Sequence, residues 1–290
     1  MRVIDSHVHL YPPDLNREPH AWAVSHAEPQ WAGLCLRRRR NGIPVQAFPT
    51  VEELLREMDR AGVERAVLLG WYWSNARTCE LQNRFYGECV RAYPDRLSAF
   101  ATIQPCAGRE VSLREVRRAY DDGLIGLGEL SPHSQGYEIA SDVFQAVLTL
   151  ATELRLPVNL HVTDPNSREY PGRVETPLDN FVSLAKAFPK VNFILAHWGG
   201  LLPLRDVTTD KLTNVYYDTA ASPLIYDDSV WQRFLSVVSP AQVLFGSDFP
   251  LNLYPKISDE PEMKRFIAEA RTAGSPKNVM GENAATLFGL

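Results

Sequence analysis

Residues 3–9 read VIDSHVH, a short run rich in β-formers, and runs of the same kind recur down the chain. They fall at 65–70 (RAVLLG), 97–103 (LSAFATI), 124–130 (LIGLGEL), 157–162 (PVNLHV), 192–197 (NFILAH), 214–219 (NVYYDT) and 243–248 (VLFGSD), which makes eight. Most are apolar on both faces, the pattern of parallel strands with helices outside and packed core inside. Longer helical patterns separate them. Thr50 precedes VEELLREMDRAG with Glu53 three positions on, a capping box, and Gly62 ends that helix. Ser141 opens SDVFQAVLTLATEL, and Thr176-Pro177 places a capping residue before a proline at the first helical position. Eight β–α units of one type predict an α/β fold, a (β/α)8 TIM barrel of about 250 residues or more. One domain spanning 1–290 is expected.

The long interruption is 11–49, far beyond the roughly two to six residues usual for a βα loop. It contains His20, Trp22, His26, Trp31 and the run Arg37-Arg38-Arg39-Arg40. Such a segment is either disordered or a lid; the two tryptophans favour an ordered lid, and the arginine run reads as a solvated face. The rest of the composition is that of a globular protein, with 290 residues, 45% of them hydrophobic and 22% charged. A net charge of −5, with basic residues dispersed, gives no footing for nucleic acid or an anionic membrane. No apolar run approaches the roughly 18 residues that span a bilayer. The first strand pattern begins at once, so no signal peptide is expected. Cys35, Cys79, Cys89 and Cys106 form no CxxC pair and read as thiols of a reducing compartment. The expectation is a cytoplasmic protein acting on a small molecule, with a homo-oligomer left open.

His7 and His9 lie two apart on the first run, so both side chains share a face, which in a barrel is the interior. Glu129 ends the fourth run, His161 the fifth, His197 the sixth and Asp248 the eighth. In a barrel these ends meet on one rim, where barrel enzymes place their chemistry. Imidazoles and carboxylates gathered there suit a divalent zinc, manganese or iron(II) ion. Asp5 shares the parity of His7 and His9 and could orient a ligating imidazole, or simply start the strand. Trp22, Trp31, Trp71, Tyr72, Trp73 and Trp198 all follow strands on the mouth side. They could line an aromatic pocket, with core or lid packing the alternative. Arg168 and Arg173 could clamp a substrate carboxylate or be exposed loop residues. His133, in SPHSQGY, is a candidate substrate contact.

The stretches IDSHVHL, NLHV, ILAHWGG and LFGSDFP, in that order, with the closing NAATLFGL, resemble the amidohydrolase superfamily. The branch is similar to amidohydrolase-2, which includes aminocarboxymuconate-semialdehyde decarboxylase and related hydrolases. The resemblance covers the whole chain. It implies a distorted barrel with a metal at its C-terminal mouth, zinc being the expected ion, held by His7, His9, His161 and Asp248. His197 would bind a second metal or polarise water or substrate. Glu129 resembles the strand-four glutamate that bridges two metals in TatD-like nucleases, which leaves the count at one or two. A nuclease is not expected, because an acidic chain with a tryptophan-rich lid does not suit a phosphate backbone. The implied chemistry is a metal-activated water, with Asp248 and His197 as catalytic residues and Asp248 moving the proton. Hydrolysis of an amide, lactone or related ester stands first. Decarboxylation of a small unsaturated or aromatic acid stands second, and a non-catalytic metal-binding protein third.

Overall fold

The apolar runs form eight parallel strands in a computed structural model that describes residues 2–253 and 260–290. They are β1 (Ile4–Val8), β2 (Arg65–Leu68), β3 (Leu97–Ala101), β4 (Gly126–Leu130), β5 (Val158–Leu160), β6 (Phe193–Leu195), β7 (Val215–Asp218) and β8 (Val243–Leu244). Each strand pairs with its successor in the chain, as right-handed βα crossovers dictate. The seam between the ends of the sheet is bridged just beyond β8. Ser6 N donates to Phe245 O at 2.9 Å, Asp248 N to His7 O at 2.9 Å and His9 N to Phe249 O at 2.8 Å. The sheet is therefore a (β/α)8 barrel.

Ile4, Val67, Phe100, Ile194 and Leu244 come from five strands and share one buried cluster. Side chains from β3 and β6 can meet only through the barrel's interior, so this cluster is its packed filling. Phe288 joins from the C-terminal segment, its ring 5.3 Å from that of Phe100. Gly126 makes room for that filling, since a Cβ there would lie 2.5 Å from the Phe100 ring.

The helices follow their start signals, with one exception. Thr50 and Glu53 close the capping box of the helix Val51–Ala61, and Gly62 ends it at φ 74°. Ser141 caps Asp142–Leu154 through the Phe144 N–H. At 176–177 the expectation fails: the helix begins at Leu178 with Pro177 in the capping position. The Thr176 hydroxyl is used elsewhere, accepting from Thr163 N at 2.8 Å and pinning the loop after β5. Among the described residues no helix is long and apolar enough to cross a membrane. All four cysteines are free thiols, and only Cys106 is exposed.

The 11–49 segment is ordered and largely helical. Pro13–Arg17, Pro19–Ser25 and Pro29–Cys35 each start on a proline, whose missing N–H costs nothing there. A ribbon then returns through an Arg38–Pro44 bridge and is stitched to the end of the barrel by a Gln46–Leu251 bridge. Between lid and barrel lies an aromatic cluster in which the Trp31 ring sits 5.5 Å from Tyr11, 5.8 Å from Phe48 and 5.6 Å from Trp73. Trp22 joins at 5.4 Å from Trp73. Trp31→Ala is expected to cost about 3–5 kcal/mol, the range for emptying a buried aromatic site. Thermal melts check this, and an unchanged melting temperature would free Trp31 for another role.

Candidate active site

Six polar side chains converge at the C-terminal ends of the strands, all of them buried or nearly so. His7, on β1, and His9, just beyond it, each have one ring nitrogen held by a partner outside the cluster and the other turned to the centre. His7 Nδ1 donates to Asp218 Oδ2 at 2.9 Å, and His9 Nδ1 donates to the Leu69 carbonyl at 3.0 Å. Both Nε2 atoms then face the centre, 3.2 Å apart. Glu129 stands across from them and divides its oxygens. Oε2 lies 3.8 Å from His9 Nε2 and 4.0 Å from His7 Nε2, whereas Oε1 lies 2.8 Å from His161 Nδ1 and 3.6 Å from His197 Nε2. Asp248 closes the ring, with Oδ1 3.4 Å from His9 Nε2 and 3.7 Å from His7 Nε2.

Backbone geometry aims two of these groups. His197 and Asp248 hold φ 57° and 65°, left-handed values that β-region side chains avoid. Strain of this kind persists where surrounding contacts over-determine it, as at functional sites. Gly246 serves the same end from below: a Cβ there would lie 2.8 Å from His7 Cβ. The glycine of LFGSD thus lets β8 press against the first-strand histidine.

The electrostatics are those of a site short of positive charge. Burial opposes a charge on His7, yet the Asp218, Glu129 and Asp248 carboxylates push its pKa up to about 10. Burial would raise Glu129, but His161, His197 and His7 hold it well below the usual carboxylate range. The same surplus of carboxylate that pulls a proton onto His7 would pull in a cation. Two compact sets of donor atoms meet that need, His7–His9–Glu129 and Glu129–His161–His197. Nitrogen and oxygen donors with oriented imidazoles fit a divalent transition metal.

Asp218 is the residue that sequence reasoning missed. It ends β7, is fully buried, and also accepts from Asn159 Nδ2 at 3.1 Å and from the backbone N–H groups of His197 and Ala220 at 3.0 Å. One carboxylate therefore positions side chains of β1 and β5 and the backbone that follows β6 and β7. Its signal was available as the acid of YYDT, near the end of the seventh run. Asp5, left between orienting an imidazole and starting the strand, accepts from the backbone N–H groups of His7 and Ser247, and burial raises its pKa to about 6.

The donors open into a cavity of about 690 Å³. Its walls include Trp71 and Tyr72, which stack with centroids 4.3 Å apart and lie beside His9 and His161, as well as Leu201, Leu224, Ile225 and Leu251. Five expected substrate contacts are placed elsewhere. Trp22 and Trp73 belong to the lid cluster, where the Trp73 indole donates to Gln82. Trp198 is buried against Trp231 and donates to Ser222 Oγ at 3.1 Å. His133 pairs with Asn180 at 3.0 Å, and Arg173 turns to Ser167 and the Glu169 and Glu175 carboxylates. Trp22, Trp73 and Trp198 thus pack where burial is greatest, and His133 and Arg173 turn to partners outside the donor cluster. Arg168 does reach the cavity, at its exposed rim.

The chain belongs to the amidohydrolase family, whose model matches residues 4–290. No curated protein sequence matches it. Among solved structures it is similar to 5-carboxyvanillate decarboxylase from Sphingomonas paucimobilis, at 19% identity over 100% of this chain and 99% of that one, with a TM-score of 0.76. It is also similar to 2,6-dihydroxybenzoate decarboxylase from Rhizobium (16% identity, 100% and 99% covered, TM-score 0.69). The 4-oxalomesaconate hydratase of Rhodopseudomonas palustris is a third (17% identity, 99% and 96% covered, TM-score 0.68). At these identities the likeness is one of fold.

Proposed function

We propose that this protein is a metal-dependent decarboxylase of a small planar carboxylic acid, aromatic or unsaturated. The observation that carries the reading is the stacked Trp71–Tyr72 pair in the cavity wall directly beside the His9 and His161 donors. A conjugated ring laid on that wall presents its carboxylate to the donor cluster. The decarboxylases among its structural neighbours support the same reading. His7, His9, His161 and Asp248, with Glu129 and His197, would hold one or two divalent ions, zinc first by donor chemistry and manganese next. Such an ion supplies Lewis acidity that polarises a bound oxygen and acidifies water.

The chain's own groups do the rest. Asp218 fixes the tautomer of His7, and the aromatic wall orients the ring and excludes water. Decarboxylation breaks the bond between the ring carbon and the carboxyl group, and the electron pair left on carbon takes up a proton. Asp248, in the cavity lining and beside both His7 and His9, is the group that delivers that proton, and CO2 leaves.

Hydrolysis remains the second reading. It is favoured by an Asp248 equally able to take a proton from water. The deciding experiment gives metal-loaded protein a panel of hydroxybenzoates, unsaturated diacids, amides and lactones in ¹⁸O-water. The expected result is CO2 with no ¹⁸O in the organic product. Labelled product without CO2 would overturn decarboxylation in favour of hydrolysis.

A further inference from the structure

The ladder between β1 and β2 opens at the rim. Leu69 N still donates to Val8 O at 2.8 Å, and the next bond of a parallel ladder would run from Leu10 N to Leu69 O. That bond is replaced. The Leu69 carbonyl accepts from the His9 ring at 3.0 Å, and the hydroxyl of Tyr86 stands between the two strand ends. It accepts from Leu10 N at 3.3 Å and sends its one proton to Leu69 O at 2.7 Å, the shorter of its two carbonyl contacts. Gln82, four residues earlier on the helix Ala76–Ala92 and so on the same face, completes the arrangement. Its Nε2 donates to Leu10 O at 3.0 Å and to the Tyr86 hydroxyl at 3.2 Å. Its Oε1 accepts from Trp71 N at 2.8 Å and from the Trp73 indole. Both side chains are buried, and every donor and acceptor they carry is used.

We infer that Tyr86, held by Gln82, is a positioning residue for His9. This rests on the reading of the strand-end cluster as a metal centre. His9 lies one residue past β1, where strand pairing no longer fixes it. Its own N–H meets Phe249 O, but the peptide N–H that follows it and the carbonyl its ring leans on both meet the Tyr86 hydroxyl. One oxygen atom thus fixes the backbone of His9 on one side and the acceptor that sets its tautomer on the other. With Nδ1 donating to that acceptor, Nε2 offers its lone pair to the centre, the form a cation requires. Without the hydroxyl, the buried Leu10 N–H is left unmet. The move that satisfies it closes the ladder, bringing Leu10 N onto Leu69 O, where it competes with the His9 ring for the same carbonyl. The imidazole then loses the partner that holds its tautomer.

The test needs no turnover. Chelator competition gives the zinc affinity of the folded protein, and thermal melts give its stability. Tyr86→Phe keeps the ring and removes only the oxygen. Zinc is expected to bind at least about tenfold more weakly, the lower end of the range for losing a group that orients a ligand. Gln82→Met removes the donor to Leu10 O and Tyr86, should weaken zinc in the same direction, and decides the matter alone if Tyr86→Phe does not fold. Val147→Ala removes buried volume from the helix Asp142–Leu154, outside the cavity wall, and should lower stability while leaving zinc affinity unchanged. Zinc affinity within about twofold of the wild type in the folded variants, or an equal loss in Val147→Ala, would overturn the inference while keeping the metal centre. Crystals of metal-free Tyr86→Phe separate the opposite failure. If the wild type binds no zinc, the metal reading falls. A His9 ring turned away from Leu69 O in those crystals then upholds the positioning role, and a ring left in place overturns it.

Discussion

Asp248→Asn is expected to lower kcat by about 10²–10⁴-fold, the usual contribution of a positioned acid–base group, while most of the metal stays bound. The substitution keeps the size of the side chain and one acceptor oxygen, but an amide neither gives nor takes the proton the reaction needs. Metal retention follows from the geometry. The His7 and His9 Nε2 atoms are aimed by Asp218 and the Leu69 carbonyl, and Glu129 stands within 4.0 Å of both, so the donor set survives the loss of one carboxylate charge. Turnover and bound metal are to be measured on the same preparation. A metal-loaded Asp248→Asn protein with near-wild-type kcat would remove Asp248 from proton transfer.

The second large effect is expected at Asp218, which touches neither cavity nor substrate. All four of its partners are donors, namely His7 Nδ1, Asn159 Nδ2 and the backbone N–H groups of His197 and Ala220. In Asp218→Asn an NH2 group must face two of them. If it faces His7, the imidazole reverses its tautomer and points a proton at the centre, where a cation belongs. If it faces the backbone, two buried N–H groups go unmet at about 1–3 kcal/mol each. Metal affinity should fall about 10–100-fold, the range seen when a group orienting a ligand is lost. Chelator competition gives the affinity and thermal melts the stability. Loss of stability with unchanged affinity would make Asp218 a packing residue alone.

The barrel was legible because its signal is repeated. The β runs are short, most of them apolar on both faces, and alternate with helical patterns, so an error at one would have left seven. The polar residues at strand ends were legible for a related reason. Parallel strands in a closed sheet carry all their C-terminal ends to one rim, whatever the loops do, and His7, His9, Glu129, His161, His197 and Asp248 needed no further information.

What strand parity could not supply was the identity of the orienting acid. Asp5 and Asp218 are both acids on strands lining the same barrel, but a three-dimensional contact decides that Asp5 meets backbone and Asp218 meets His7. The lid was opaque for another reason. A tryptophan after a strand either lines a pocket or fills a core, and the element packed on it determines which. Trp71 met the cavity, whereas Trp22 and Trp73 met each other and Trp31. Arg37 and Gln46 reach the cavity on a ribbon without periodicity, so no pattern marked them.

The central claim is that the strand-end cluster is a divalent metal centre on which activity depends. Metal bound per chain and CO2 release are to be followed together as chelated protein is titrated with zinc and, separately, with manganese. The account predicts that activity is absent from the stripped protein, rises in proportion to bound metal, and levels at one or two equivalents per chain. Full activity in protein shown to be free of metal, or binding that never approaches one equivalent, would contradict it.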